Sequence, residues 1–284
     1  MAPSREREKG KAPHIREIRI RSSPPLVGGA RGRGKGVEKM IRTKTERRSP
    51  VQLPGKPEKT QTRNHWSVVR EYADEGPGPW VVDLSHCPRW DIQGRNLDEA
   101  SVPEFSLPDS PGSVILQANG LTGRTGQNQA FLWLLDEKAA APAGTGFTET
   151  TEGSLCLALL GKDVFHITEK LTYLDLGDPK RKAPFLVLGP FCHVTCQIVV
   201  LNNDPAKAAV LIACTRGFAH DMVHAVLTAG EEFGLRPAGE RRFTEVIKSA
   251  PGSNHPVKTK TWTRTSTASE KPKSAGRTRS KKTA

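Results

Sequence analysis

The order of patterned segments in this chain predicts a single α+β core domain: a mixed, mainly antiparallel sheet with two or three helices. Three observations carry that expectation. Apolar runs of strand type come in groups instead of alternating regularly with helices. Helical periodicity is confined to short stretches after Gly161 and after Cys214. The large apolar residues are concentrated between residues 77 and 248.

Charge divides the chain in the same way. The 284 residues carry a formal net charge of +13, which separates into +10 over 1–76, −5 over 77–248 and +8 over 249–284. The outer segments are rich in Arg, Lys, Pro, Gly, Ser and Thr, a composition that buries too little surface to offset the entropy of ordering. Residues 1–76 and 249–284 are therefore expected to be disordered basic tails around a core at 77–248. Such tails suit nucleic acid through phosphate neutralisation, or serve as solvated extensions without a role of their own. Met40 offers a second start, which would remove the Gly/Arg stretch at 28–36.

Within the core, Trp80–Ser85 and Cys87–Gln93 read as two strands, with Gly94 closing the second. Ser113–Ala118 is a third, and Asn119-Gly120 a turn signal. Gln127–Leu135 is apolar without a decisive period, so helix and strand both remain open there. Ser154–Leu160 is a strand that passes at Gly161 into a short helix over Lys162–Leu171. Pro184–Leu188, His193–Leu201 and Ala208–Cys214 follow as strands. The last helix carries Phe218, Met222, Val226 and Phe233 at helical spacing, with Gly234 placed to end it and a basic Gly/Pro turn beyond.

Candidate chemistry is sparse. His220 and His224 share a helix face as in a zinc motif, but Asp221 replaces the longer carboxylate and no third ligand follows. Cys192 and Cys196 on an extended strand lie about 13 Å apart, too far for one zinc, and read as two inward-facing thiols. Asp83, Ser85 and His86 are triad residue types on conflicting strand faces. Gly120–Gly126 is a Gly-rich turn with Arg124, without a phosphate-loop ending. More substance attaches to Arg216 at a helix start, with Arg236 and Arg241 beyond the helix: backbone N–H groups and basic side chains would form an anion corner there. The five cysteines, odd in number and mostly in apolar segments, suit buried thiols in a reducing compartment. No apolar run reaches the roughly 18–20 residues that span a bilayer. The sequence reads as cytoplasmic, with no membrane partner and no metal site.

Four segments carry a resemblance. Val82-Asp83-Leu84-Ser85-His86 with Trp90-Asp91-Ile92-Gln93-Gly94, then Leu159–Phe165 and Ala213–Phe243, the last including Leu235–Glu240, occur in the order of the glycine-cleavage T-protein superfamily. The terminal segment is more similar still to the gamma subunit of heterotetrameric sarcosine oxidase. The resemblance implies a folate-binding-type fold, tetrahydrofolate as a ligand, and flavoprotein oxidoreductase subunits as partners. It would make Arg216, Arg236 and Arg241 contacts for a pteridine-glutamate or for a partner's carboxylate. The superfamily's folate-contacting Glu segment and catalytic Asp have no counterpart here, so the resemblance implies a non-catalytic accessory subunit of an amine-oxidising complex. The alternatives are a stand-alone tetrahydrofolate-binding module and a nucleic-acid binder acting through its tails.

Overall fold

The computed structural model describes residues 46–249, apart from 96, 98–101, 103, 136–138 and 143–145. The expectations for residues 1–45 and 250–284 lie outside the described residues. The fold is α+β, with one parallel strand pair among otherwise antiparallel ones.

Its centre is a six-stranded sheet built from β3 (Trp80–Asp83), β9 (Ser154–Gly161), β10 (Phe185–Phe191), β11 (Val194–Asn202), β12 (Ala208–Thr215) and β13 (Arg236–Ala238). They are ordered β10-β11-β12-β9-β3-β13. The central strands are apolar on both faces because both faces are covered. Leu155, Leu157 and Leu159 point to one side with Ile198 and Val210. The intervening Cys156, Ala158 and Leu160 point to the other with Val199 and Leu211. The two-residue period of the strand thus feeds two cores at once.

The first core is closed by α1 (Val164–Glu169) and α2 (Ala219–Gly230). Met222, Val223, Val226 and Ala229 form the buried stripe of α2. Phe218, expected in that stripe, stands at the helix start and is 47% exposed, since the helical frame begins one residue after it. Gly234 adopts the left-handed conformation (φ 71°) beyond α2, as its position predicts.

The second core is closed by a five-stranded sheet of β4 (Arg89–Gln93), β5 (Val114–Gln117), β6 (Gly120–Gly126), β7 (Gln129–Leu134) and β8 (Phe147–Glu149), ordered β5-β6-β7-β4-β8. Its outer face holds a third cluster around Ile92, Phe105, Leu132 and Leu134. The segment left open between helix and strand is strand β7. Gly120–Gly126, expected as a turn, is strand β6: Gly123 leaves room for the Phe131 ring opposite it. Arg124 is spent on backbone carbonyls of Pro108, Asp109 and Gln127, which leaves no phosphate cradle. Leu235–Glu240, also expected as a turn, supplies β13 and the start of α3 (Glu240–Ser249).

The expectation of disorder over 1–76 fails for 46–76. β1 (Pro57–Arg63) and β2 (Trp66–Tyr72) form an antiparallel hairpin through Asn64 and His65, both at positive φ, as a two-residue type I′ turn requires. β1 is nearly all exposed, which is why composition hides it. β2 alternates, burying Trp66 (2% exposed), Val68 and Tyr72. The hairpin lies over β13 and α3, so the core begins well before residue 77. Among the described residues, no helix is long and apolar enough to cross a membrane.

Candidate functional site

β3 ends at Asp83, whose carboxylate accepts the backbone N–H of Ser85 at 2.9 Å and the hydroxyl of Ser49. That contact turns the chain in the manner of an Asx turn. The Ser85 hydroxyl accepts the N–H of Cys156 at 3.2 Å. Asp83, Ser85 and His86 therefore form no triad: the first two hold backbone, and the third is delivered elsewhere.

His86 reaches Glu240, the first residue of α3, with Nε2 2.9 Å from Oε1. The same carboxylate takes Arg63 in fork geometry, Nη1 to Oε1 at 2.7 Å and Nη2 to Oε2 at 2.9 Å, and also Arg70. Bidentate Arg–carboxylate pairing is the strong form of such contacts. Glu240 is 4% exposed and His86 9%. Burial opposes the charge on Glu240, but hydrogen bonds from His86 and Arg63 hold its carboxyl far below the usual carboxylate range. Burial opposes the charge on His86 too, yet Cys87 and Glu240 raise it to about 10, so the ring is protonated at neutral pH. Three cationic groups face one carboxylate, a local excess of positive charge.

Arg63 and His86 of this node reach a cavity of about 400 Å³, whose walls also include Arg47, His65, Trp90 and Glu149. The ligand atoms of His86, Cys87 and Glu240 lie within 4.8 Å of one another, the spacing a metal ion needs. The chemistry does not fit a metal: both Glu240 oxygens already accept from guanidinium groups, and a divalent cation would have to enter among three positive charges. The arrangement is an ion-pair node with Arg63 and His86 at the cavity wall, where Glu149 adds a carboxylate.

Arg89, 2% exposed, sits behind the node and donates to the carbonyls of Leu84, Ser85, Thr151 and Ser154. It ties the turn after β3 to the start of β9. Cys156, beside this region, has its thiol pushed up to about 12 by burial, which keeps it from acting as a nucleophile at neutral pH.

The three arginines expected at an anion corner are not gathered into one. Arg216 donates to the backbone carbonyls of Arg48 (2.8 Å) and Glu152 (3.5 Å). Arg236 pairs with Asp74 at 2.6 Å, and Arg241 with Glu71 at 3.2 Å and with Glu245. Arg216 follows Thr215, which faces Ser154, whereas Arg236 faces Trp80, itself opposite Leu160. Six strand residues, about 20 Å, separate the two ends of β9. Nearness in sequence misled because β12 and β13 lie on opposite sides of β9 and the long helix between them crosses the sheet. His220 and His224 are both on the exposed side of α2, and His220 lies 3.5 Å from Asp221.

Glu240, Arg63 and Arg70 were not singled out from the sequence. A weak signal exists: Gly239-Glu240 follows a proline turn directly, and a glycine beside a buried acid marks a close backbone approach. A Cβ built on Gly239 would overlap the carbonyl of Arg70.

No family model matches the chain. No curated protein matches it either. Among solved structures, the chain is similar to one chain of the heterotetrameric sarcosine oxidase from Corynebacterium sp. U-96 in complex with pyrrole 2-carboxylate, at 12% identity and a TM-score of 0.42, over 54% of this chain and 84% of that one.

Proposed function

We propose that this protein is a cytoplasmic, non-catalytic accessory subunit of a sarcosine-oxidase-like, folate-linked amine-oxidising complex, docking on a flavoprotein partner that performs the chemistry. The observation that carries the reading is how the family-like segments are used. β12, β9, β3 and β13, which bear three of the four, are consecutive in one sheet. Their chemistry-bearing side chains Asp83, Ser85, His86 and Glu240 are all engaged in holding this chain together.

Three large apolar residues are exposed toward one end of the six-stranded sheet. Leu188 on edge strand β10 is 48% exposed and lies in the row of Gln197 and Ala213. Phe218 follows β12 at the same end, and Tyr173, 84% exposed, adjoins Thr172, whose hydroxyl donates to Pro190. On this reading, these exposed apolar residues are separate contacts for a protein partner.

The test is purification of the full-length tagged chain from its native host after nuclease treatment and a high-salt wash, with bound flavin released and quantified. Flavin and an amine-oxidising flavoprotein in stoichiometric amount support the proposal. A chain that elutes alone, or with nucleic acid lost at high salt, overturns it.

A second reading, a stand-alone tetrahydrofolate-binding module, draws on the cavity of about 400 Å³ with Arg47, Arg63 and His86 in its wall. A ligand bound only by the native state raises the melting temperature by mass action. Titration with tetrahydrofolate should then raise Tm progressively, and an unchanged Tm at saturating ligand removes this reading.

A further inference from the structure

Cys196 and Cys214 stand on neighbouring antiparallel strands. The β11–β12 register runs Val199 to Leu211, Ile198 to Ile212 and Gln197 to Ala213. Continued by one residue, it sets Cys196 opposite Cys214. Both side chains enter the helix-side core, where the Cys196 thiol donates to the Val194 carbonyl at 3.3 Å. All five cysteines are reduced in this structure.

Directly opposed residues of an antiparallel pair have Cα atoms about 4.5 or 5.5 Å apart. Both values lie inside the roughly 4.4–6.8 Å range that a disulfide requires. The backbone is therefore already placed for the bond, whichever kind of pair this is.

We propose that Cys196 and Cys214 are a reversible cross-strand disulfide site, oxidised by small-molecule disulfides of the glutathione type. The Cys214 thiolate attacks one sulfur of the oxidant, giving a mixed disulfide and expelling one thiolate. That thiolate takes the proton of Cys196, whose sulfur then attacks the Cys214 sulfur and expels the second thiolate, which is protonated from solvent by the proton Cys214 gave up. Two electrons and two protons pass from the cysteine pair to the oxidant, which leaves as two thiols.

The surroundings assign the order. The neighbouring Cys196 thiol lowers the pKa of Cys214 against the effect of burial, and Arg89 adds to this. Proximity to Cys214 and burial both push Cys196 up. Cys214 is accordingly the first to ionise and the attacking sulfur. Cys196 and Cys214 are among the wall residues of a cavity of about 430 Å³, with Thr195 and Thr215, and are 2% and 7% exposed.

Cys192 is the natural competitor. It is half-buried in the two-residue turn between β10 and β11, and both Cys192 and His193 hold positive φ. The register places it beyond the end of β12, opposite neither partner.

The test uses the folded full-length chain, treated with oxidised glutathione under native conditions and then digested without reduction. The expected result is loss of two of the five thiols, a linked peptide joining Cys196 to Cys214, and full recovery of both thiols with dithiothreitol. Cys192→Ser keeps the linked peptide, whereas Cys196→Ala and Cys214→Ala each abolish it. Circular dichroism confirms that each variant is folded, and the wild-type peptide map stands without them. Retention of all five thiols overturns the proposal, as does a bridge that involves Cys192 or one that forms only after denaturant is added.

Discussion

His86 and Glu240 meet at 2.9 Å across 154 positions of sequence, and their contact joins the turn after β3 to the first residue of α3. Arg63 and Arg70 bring the hairpin β1–β2 to the same carboxylate. One buried acid thus fastens three separate stretches of chain.

Removing that acid should loosen all three. Breaking a buried ion pair by deleting one partner costs about 3–5 kcal/mol, because the opposite charges remain buried. Glu240→Gln is expected to lower stability by about that amount in urea unfolding. Hydrogen exchange should show the largest loss of protection at residues 66–72.

Gly239→Ala tests the seat of the hairpin directly. Its Cβ would overlap the carbonyl of Arg70, and overpacking of this kind costs about 1–3 kcal/mol. We expect a loss in that range by thermal or urea unfolding, and a smaller loss for Gly217→Ala, where a Cβ would meet open space.

Stability should depend on pH from both sides of neutrality. The folded pKa of His86 is raised from 6.5 to about 10. Its contribution is full below pH 6.5 and is lost as pH rises toward 10. The folded pKa of Glu240 is lowered from 4.5. Its contribution is full above that value and falls away in acid. The unfolding free energy should decline on the alkaline side in the wild type, and His86→Gln should flatten that decline.

The exposed rim yields a prediction that separates docking from folding. Phe218→Asp and Leu188→Asp alter residues about half exposed, so stability should change by no more than about 0.5 kcal/mol. Retention of the flavoprotein on the full-length chain should nonetheless fall at least tenfold for the pair of substitutions. Undiminished retention would remove Leu188 and Phe218 as docking contacts.

Much of the sheet was legible in the sequence. Ser154–Leu160 and Ala208–Cys214 are β9 and β12 almost residue for residue, because a strand buried on both faces leaves an unbroken apolar run. The pattern failed where an element shows solvent most of its surface. β1, Pro57–Arg63, is six-sevenths exposed, and only Trp66, Val68 and Tyr72 of its partner mark the hairpin. In α3, Phe243 is buried and Val246 and Ile247 pack partly against the second core amid charged neighbours. The ion-pair node was hidden for a different reason: its members come from positions 63, 70, 86 and 240, and no local spacing reports a meeting at that range.

The parallel pairing of β13 with β3 has a consequence for synthesis on the ribosome. The seat for the hairpin is made by the last described strand and helix, and Arg70 waits for a partner 170 residues downstream. At about 5–20 residues per second, the hairpin emerges about 10–30 s before its anchor exists. During that interval Trp66 and the unpaired edge of β3 are open to other chains. Faster translation of the 170 residues between Arg70 and Glu240 shortens that exposure, a dependence on rate that the completed fold no longer reveals.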